Sequence, residues 1–293
     1  MRRITEEEVR HYREHGVVYL PELLDESWLK RMEVAFADEM FSDRHDLGQN
    51  HLDLGTTAQL LERQGFQLLS QNSTEASGRF WVRTFTWRHF PSVTALGCGA
   101  PMPETIAQLM GSTRLNFYGE QLFFKEAGSL HRTAFHQDAP YFHLIGDQCC
   151  TIWMPLDVVD HENSMMGYVR GSHRWEIHAA NVFAGQSPIP GSTLARLPDI
   201  EGDEDKYDVV YYPAKPGDAI IHHVRTVHGS TGNTSKRDRR AFTLRYTGDD
   251  VRYLEREGTP PDSQKSPALR NGDRMDSDEF PLVWTAERGY VPV

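Results

Sequence analysis

The chain has 293 residues, 39% of them hydrophobic, and a formal net charge of −11. It holds no apolar run long enough to cross a bilayer, and its acidic balance disfavours nucleic acid and anionic membranes as partners. One large domain or two small ones fit this length, and we expect the main partner to be a small molecule; the oligomeric state is left open.

Two helices and a short strand are predicted at the N-terminus, within residues 4–40. Thr5 followed by Glu8 indicates a capping box, and Gly16 is expected to end the first helix. Val17–Leu20 has the composition of a strand, and Asp25 is expected to cap a second helix. That helix carries apolar residues at helical spacing, namely Trp28, Leu29, Met32, Ala35 and Phe36. Residues 43–79 are polar and irregular, and we assign them no structure.

From Arg114 onwards, β-branched and aromatic runs are separated by Gly, Pro and Asp, which is typical of strands. The candidate strands are 115–125, 132–138, 149–157, 165–170, 207–213, 218–227 and 240–247. Short strands without long helices between them predict an antiparallel sandwich or jelly roll. The simplest organisation is a single domain over 1–293, with a core at about 114–250 and a surface segment at 251–293.

The three cysteines do not form a disulfide framework. Cys149 and Cys150 are adjacent and would point to opposite faces of a strand, and Cys98 is distant in sequence. The N-terminus has no apolar segment of the kind that a secretory signal needs. We therefore expect reduced, buried thiols and a cytoplasmic location.

The segment His136-Gln137-Asp138 carries a pattern typical of metal binding. Residues i and i+2 of a strand share a face, so this imidazole and this carboxylate can bind one ion. The pattern alone is weak, because 14 His and 21 Asp residues predict about one such pair by chance. A second pair, His51-Leu52-Asp53, lies outside any predicted strand, and we assign it no metal role.

A second histidine would complete a 2-His-1-carboxylate set, the ligand set of non-haem iron oxygenases. His228 follows the apolar run 219–227 and precedes Gly229-Ser230, as at a strand end. His222 and His223 compete for this role but lack the Gly-Ser turn. Arg239, eleven residues after His228, can clamp a carboxylate bidentately, which suits the far end of a dicarboxylate.

Several segments together resemble the phytanoyl-CoA dioxygenase family of Fe(II)- and 2-oxoglutarate-dependent oxygenases. They are HQDAPYF, the PLD of WMPLD, RGSHRW, and VHGSTGN followed by RRA. The similarity runs from the N-terminal helices to about Asp250. It implies a double-stranded β-helix (a cupin-like jelly roll) with flanking helices, iron on His136, Asp138 and His228, and use of 2-oxoglutarate and O2 as co-substrates.

The resemblance also implies residues around 2-oxoglutarate. These are Arg239 and Ser230 at the distal carboxylate (with Arg240 in place of Arg239 if the register slips by one), Trp153 and Gln121 in the pocket, and Arg83 as an upstream basic contact. A packing role for Trp153 stays open. Tyr141 and His143 are candidates for facing the substrate or for packing. A further four arginines could form a cationic rim for an acidic substrate, but we favour the alternative that each is a solvated surface residue. They are Arg79, Arg83, Arg88 and Arg132.

One segment departs from the family pattern. Relatives often have Glu-Asn-Gly before a Pro-Gly-Ser-His turn, whereas this chain has Glu162-Asn163-Ser164-Met165-Met166-Gly167 and then Arg170-Gly171-Ser172-His173. We expect the missing Gly and Pro to alter the loop without touching a ligand. Because halogenating relatives lack the metal carboxylate, Asp138 implies hydroxylation of a C–H bond, although desaturation, cyclisation and epimerisation stay open. The expected substrate is a small molecule of secondary metabolism. An acyl-CoA, amino-acid or phosphonate substrate, or a catalytically silent binding protein, is the alternative.

Overall fold

Two antiparallel sheets dominate the computed structural model, which describes residues 1–42, 51–53 (backbone only), 78–181, 187–189, 191–260 and 263–293. The helices are α1 (Glu6–His15), α2 (Glu26–Met40), α3 (Pro91–Gly97) and α4 (Met102–Met110). The strands are β1 (Val17–Leu20), β2 (His51–Asp53), β3 (Phe80–Thr84), β4 (Arg114–Lys125), β5 (Thr133–His136), β6 (Leu144–Ile145), β7 (Cys149–Pro155), β8 (Met166–Val169), β9 (Val209–Tyr211), β10 (Ala219–His223), β11 (His228–Ser230), β12 (Arg239–Thr247), β13 (Arg252–Tyr253), β14 (Leu282–Thr285) and β15 (Gly289–Tyr290).

The strand order confirms the predicted double-stranded β-helix. The large sheet runs β1-β10-β7-β12-β4, with β14-β15 and β3-β2 continuing from β4. The small sheet runs β5-β11-β8-β9, and β6 pairs with β13. The chain crosses between the two sheets from β4 to β5, from β7 to β8 and at each step from β9 to β12. This alternation winds the core strands into a jelly roll.

The two faces of the large sheet have different partners. On β12, Phe242 and Leu244 belong to the cluster that packs against the helices, whereas Arg239, Thr243 and Arg245 face the small sheet and line a cavity. This division follows from the period of two along a strand. The sequence of a central strand therefore places apolar residues under the helices and polar residues inside the roll.

The N-terminal helices form as predicted. The Glu8 backbone N–H donates to Thr5 Oγ1 (3.2 Å) and the Thr5 N–H donates to Glu8 Oε2 (2.7 Å), which is the expected capping box. Gly16 ends α1 in the left-handed region (φ 74°), and Asp25 caps α2. In the described ranges, no helix is long and apolar enough to cross a membrane. Helices α3 and α4 were not predicted.

Some strand predictions were wrong at their ends. The predicted strand 218–227 ends at His223, and the chain turns through Val224–Val227 before β11 joins the other sheet. The Thr226 hydroxyl stabilises this crossing by donating to the Gly16 carbonyl (2.7 Å). His51–Asp53, expected outside any strand, forms β2 and pairs with β3, a strand that was also missed.

The C-terminal segment was expected on the surface, and this is wrong for part of it. Leu269, Met275 and Phe280 are buried, and the Phe280 ring stacks on Tyr118 with centroids 5.0 Å apart. Strand β14 also pairs with β4 of the large sheet. Apolar residues spaced irregularly between polar ones hid this packing. That residues 1–293 form one domain stays a prediction.

Two of the three cysteines, Cys98 and Cys150, and one acidic pair are buried on the helix-covered face. All three cysteines are buried and free, as predicted, and burial raises the pKa of the Cys98 thiol to about 12. Glu39 of α2 and Glu120 of β4 are each 0% exposed. The Thr86 hydroxyl donates to Glu39 Oε1 (2.6 Å) and its backbone N–H donates to Glu120 Oε1 (2.6 Å).

Burial raises the pKa of Glu120 to about 7, and burial and then Glu120 raise the pKa of Glu39 well above its usual value. Since both values are raised in the folded state, the pair's contribution to stability is present below the unfolded pKa and is lost as pH rises through 7. Between about pH 5 and pH 8 we expect the free energy of unfolding to fall by on the order of 3 kcal/mol more in the parent than in Glu120→Gln.

The amide introduced by Glu120→Gln keeps an acceptor for the Thr86 N–H and has no proton to lose, so the stability of this variant should depend less on pH. Urea unfolding followed by circular dichroism across this pH range measures the difference. Glu287→Gln, at an exposed position, is the matched control and should behave like the parent. Equal pH slopes for the parent and Glu120→Gln would contradict the prediction.

Candidate metal centre

Strand pairing brings the two candidate histidine ligands together. His136 ends β5, His228 begins β11, and the two residues are direct partners in the antiparallel ladder. Their ring centroids are 4.3 Å apart. Because β11 also pairs with β8 on its other side, His228 is fixed from both edges. The two imidazoles therefore lie side by side on rigid strands.

Asp138 was predicted to lie on a strand with His136, but it reaches the histidines through a turn. It has helical dihedrals (φ −72°, ψ −34°) and begins a single 3₁₀ turn over Ala139–Tyr141. Pro140 suits the start of such a turn. Asp138 Oδ1 lies 3.6 Å from His136 Nε2 and 3.7 Å from His228 Nε2. The three ligand atoms all lie within 4.8 Å of one another.

The hydrogen bonds of the histidines favour metal binding by Nε2. Each Nδ1 lies 2.9 Å from the backbone carbonyl two residues earlier, of Ala134 for His136 and of Thr226 for His228. A carbonyl only accepts, so Nδ1 carries the proton and Nε2 has a free lone pair. Burial, then His222 and His136, lower the pKa of His228 well below its usual value, which keeps this ring neutral.

Asp138 Oδ2 contacts a row of polar residues on the large sheet. His222, Thr151 and Arg245 are neighbours across β10, β7 and β12. The Thr151 hydroxyl donates to Asp138 Oδ2 (2.7 Å), and His222 Nε2 and Arg245 Nε lie 3.5 and 3.7 Å from that oxygen. Oδ1 is thereby turned toward the two histidines.

The surroundings of Asp138 keep it ionised. Burial alone would raise its pKa, but His228, His136, His222 and Arg245 together lower the pKa well below the usual value. Two neutral imidazole nitrogens and one carboxylate oxygen are a donor set that suits a divalent iron ion and leaves coordination positions open. The geometry of these residues therefore fits the metal implied by the resemblance.

Sequence reasoning missed part of this arrangement. Thr151 and Arg245 were not proposed as site residues, and His222 was proposed only as a competing ligand or a hydrogen-bonding neighbour. A signal was present, since Arg245 interrupts the apolar strand Ala241–Tyr246 and His222 follows Ala219–Ile221. Polar residues at inward positions of a central strand are costly unless they serve a site.

A cavity between the two sheets opens from the candidate metal ligands. Its polar lining comes mostly from the strands, with Gln121, Thr133, Thr151, Trp153, His222, Ser230, Arg239, Thr243 and Arg245. Its apolar lining is Phe80, Phe85, Phe123, Tyr141, Phe142 and Met166. Tyr141 donates its hydroxyl to the Asn181 carbonyl (2.6 Å), and its ring packs against His136 with the centroids 5.5 Å apart and the ring planes at 81°.

Arg239 lies at the end of this cavity remote from the Arg245 row, as the first residue of β12. It is 2% exposed, and its guanidinium carbon lies 5.4 Å from the centre of the Trp153 ring. One of its terminal nitrogens donates to the Ser164 carbonyl (2.9 Å). Among the described residues, Arg239 Nε and Trp153 Nε1 have no hydrogen-bond acceptor. Buried donors without acceptors favour binding of an anionic ligand here.

Two arginines that were predicted to contact the co-substrate lie outside this cavity. Arg83 alternates with the cavity-lining Thr84 and so points to the helix side of the sheet, where Glu39 is its charged neighbour. Arg240 likewise points away and forms ion pairs with Asp157 (2.8 Å) and Glu33 (2.6 Å). Arg239 is therefore the arginine of this pair that faces the cavity, and Arg83 does not line it.

The other candidates have structural partners. Three of the arginines that we favoured as surface residues form ion pairs with acidic residues. The pairs are Arg79 with Glu126, Arg88 with Glu279 and Arg132 with Glu201. His143 is buried and accepts the Arg256 N–H (3.1 Å), so it packs rather than lines the cavity. At the departure from the family pattern, the Ser164 carbonyl accepts a hydrogen bond from Arg239, which is not one of the three candidate metal ligands.

The chain is similar to oxygenases in sequence and in fold. A phytanoyl-CoA dioxygenase domain-containing protein 1 homolog of Caenorhabditis elegans is 28% identical over 105 residues, 36% of this chain and only 35% of that relative. The 1-deoxypentalenic acid 11-beta-hydroxylase of Streptomyces exfoliatus is 26% identical over 229 residues, 77% of this chain and 74% of that protein.

Among solved structures, the epimerase SnoN in complex with Fe3+, alpha-ketoglutarate and nogalamycin RO superposes with a TM-score of 0.66 at 21% identity, covering 94% of this chain and 97% of that one. The similarity to SnoN supports the fold. The model of the phytanoyl-CoA dioxygenase (PhyH) family matches residues 12–241, most of the chain. The chain therefore belongs to the phytanoyl-CoA dioxygenase family.

Proposed function

We propose that this protein is a non-haem Fe(II)- and 2-oxoglutarate-dependent dioxygenase that hydroxylates a C–H bond of a small molecule. The observation that carries the proposal is the convergence of His136, Asp138 and His228 at one end of a cavity, with the buried cation of Arg239 at the other. A metal-chelating keto acid with a distal carboxylate matches both ends. Family membership and the names of the relatives support the same reaction class.

The chain's own residues would hold the metal through His136 Nε2, His228 Nε2 and Asp138 Oδ1. Iron(II) bound there supplies the redox chemistry, in which 2-oxoglutarate is decarboxylated to succinate and CO2 and one oxygen atom of O2 enters the substrate C–H bond. Thr151 keeps Asp138 Oδ2 occupied, so the carboxylate offers one oxygen to the metal. The Nδ1–H bonds to backbone carbonyls hold both rings in the ligating orientation.

Arg239 and Ser230 would bind the distal carboxylate of 2-oxoglutarate. Burial lowers the pKa of Arg239 to about 10, so the guanidinium is still charged at neutral pH. A charge-assisted pair in this water-poor position is stronger than at the surface. Trp153 Nε1 adds a buried donor, and Gln121, which accepts from Arg245 (2.6 Å), lines the cavity on the same sheet.

The aromatic lining of the cavity favours a hydrophobic substrate. Five aromatic rings line it, those of Phe80, Phe85, Phe123, Tyr141 and Phe142. Such a wall excludes water and positions an aliphatic skeleton near the metal ligands. An amino-acid or phosphonate substrate would need more polar partners than this wall offers. A specialised metabolite with an aliphatic C–H bond fits better, and the relative from Streptomyces exfoliatus is named a 1-deoxypentalenic acid 11-beta-hydroxylase.

The metal site is tested by substitution of one ligand. We expect His228→Ala to weaken Mn(II) or Fe(II) binding by at least about 100-fold, because one of three ligands is lost. Titration followed by Mn(II) electron paramagnetic resonance gives the affinity. His89→Ala, at an exposed histidine, should bind like the parent. Unchanged affinity in His228→Ala would remove this residue from the metal site.

The reaction class is tested by product analysis. With Fe(II), O2 and 2-oxoglutarate, the parent should release succinate, and a hydrophobic substrate should raise that rate. Asp138→Ala should lose succinate formation, because the carboxylate ligand is removed. Mass spectrometry of succinate under 18O2 provides the readout. A parent protein that neither binds nor decarboxylates 2-oxoglutarate would contradict the proposal.

The co-substrate anchor is tested by comparing neighbouring arginines. Arg239→Ala should raise the KM for 2-oxoglutarate by roughly 10–100-fold, since a hydrogen-bonded charge pair is lost, and should leave Mn(II) affinity within about twofold. Arg240→Ala breaks the pairs with Asp157 and Glu33, so it should lower the melting temperature and leave this KM unchanged. The reverse pattern would move the anchor to Arg240.

A further inference from the structure

A fully buried tyrosine, Tyr168 of β8, lies beside one of the candidate metal ligands. It is the cross-strand partner of His228, and the two rings stack with their centroids 5.9 Å apart and their planes at 18°. Tyr168 is 0% exposed, and its hydroxyl has no hydrogen-bond partner among the described residues. A buried polar group without a partner is costly, and a phenylalanine would pack here without that cost. Packing alone therefore does not account for a phenol at this position.

Two further tyrosines continue from Tyr168 to the surface. The ring of Tyr212, which follows β9, has its centroid 6.2 Å from that of Tyr168. Tyr19 of β1 stacks on Tyr212 with the centroids 5.5 Å apart and the planes at 10°. Tyr19 and Tyr212 are partly exposed, and β1 and β9 are edge strands of the two sheets. Tyr168, Tyr212 and Tyr19 thus form a tyrosine row from a candidate metal ligand to the solvent.

The two ends of the tyrosine row differ in their proton acceptors. The Tyr19 hydroxyl donates to Asp218 Oδ2 (2.7 Å), and Asp218 is 1% exposed and also accepts the backbone N–H groups of Glu22 and Lys215 (2.9 Å each). A phenol that loses one electron becomes a strong acid, so this carboxylate can take the proton of an oxidised Tyr19. Tyr168 has no such acceptor in the described part of the chain. Oxidation that begins at Tyr168 is therefore expected to end on Tyr19.

We propose that the tyrosine row carries oxidising equivalents from the metal centre to the surface when O2 is activated with no substrate in the cavity. This role rests on the proposed function and goes beyond it, because it protects the protein instead of transforming a substrate. In such a turnover 2-oxoglutarate gives succinate and CO2, and the second oxygen atom of O2 finds no C–H bond. Two electrons, passed one at a time along the row, and two protons from the water in the cavity reduce that atom to water.

The surface end of the row is where the electrons are replaced. Each electron that leaves the row leaves an oxidised Tyr19, whose proton is held by Asp218. A soluble reductant of the ascorbate class returns the electron to this partly exposed ring, and Asp218 returns the proton. Two such electrons balance the reduction of the oxygen atom, and no bond of the protein changes. Without the row, the same oxidising equivalents would attack residues that line the cavity, such as Tyr141 and Met166.

The proposal is tested on the full-length Fe(II)-loaded protein with 2-oxoglutarate, O2 and ascorbate and without a substrate. Tyr168→Phe keeps the stacked ring and loses a hydroxyl that has no described partner, so it should fold and bind Mn(II) like the parent. A benzene ring is much harder to oxidise than a phenol. We therefore expect a several-fold loss in the number of succinate molecules formed per protein molecule inactivated. Peptide mass spectrometry should find more oxygen inserted into residues that line the cavity.

A spectroscopic measurement follows the row itself. Without ascorbate, freeze-quench electron paramagnetic resonance of the parent should detect a tyrosyl radical. Tyr168→Phe and Tyr19→Phe should each lose this signal, the first because the row is interrupted and the second because its last member is removed.

Two further variants separate electron transfer from general damage. Tyr212→Phe interrupts the row away from the metal ligands and should behave like Tyr168→Phe, which keeps the test valid if Tyr168→Phe does not fold. Tyr290 of β15 is partly exposed and, like Tyr19, donates its hydroxyl to a carboxylate, that of Glu104 (3.1 Å). Tyr290→Phe is therefore the matched control and should behave like the parent in every measurement.

The outcomes are distinguishable. If the parent releases succinate only with a substrate, hydrogen peroxide added to the Fe(II)-loaded protein supplies the same two oxidising equivalents at the metal and decides the question. Inactivation of Tyr168→Phe and Tyr212→Phe at the parent's rate per oxidising equivalent, with the same oxidised peptides, would overturn the tyrosine row alone. Equal damage in Tyr290→Phe would overturn it as well, because the effect would not depend on the row. A parent that does not bind 2-oxoglutarate would overturn the proposed function together with this inference.

Discussion

The pairing of β5 with β11 is the constraint on which the candidate site depends. It puts His136 directly opposite His228, two residues far apart in the chain, and the turn after His136 then has only to carry Asp138 back toward them. The small sheet thus contributes the ligands, and the large sheet contributes the residues that orient the carboxylate. Neither sheet alone would form the candidate metal centre, so its geometry depends on how the two sheets pack against each other.

The same packing creates an unusual distribution of charge inside the roll. Lys125, Arg239 and Arg245 all project inward from central strands, while in the described residues Asp138 is the inward acidic partner nearest to them at the metal end. A protein interior tolerates such cations only where hydrogen bonds or ligands compensate them. Arg245 has Asp138 and Gln121 as partners. At the other end Lys125 and Arg239 contact neutral acceptors, and this asymmetry favours an anionic ligand there.

The sequence predicted the strands that carry the chemistry better than the segments around them. Strands β4, β7 and β12 were identifiable because their β-branched and aromatic runs are bounded by Gly, Pro and Asp. Arg239 was identifiable because it lies eleven residues after His228, at the start of such a run. The sequence did not show whether Arg83 points into the cavity or toward the helices, because one arginine in a short strand gives no periodic pattern. The contact of Ser164 with Arg239 could not be predicted either, because it depends on a left-handed backbone (φ 75°) at Ser164.

The division between strands and loops also bears on specificity. The polar residues proposed for metal and co-substrate lie on strands or directly at their ends, where neighbouring strands fix them on both sides. Much of the apolar wall comes from connecting segments: Phe85 has a positive φ (57°), and its ring occupies space that a side chain at Gly119 would fill. Tyr141 is the last residue of the turn after Asp138, and Phe142 follows it. Loops vary more easily than paired strands. A family with one redox chemistry can therefore act on different substrates by changing this wall, while the rows of side chains across the large sheet stay in register.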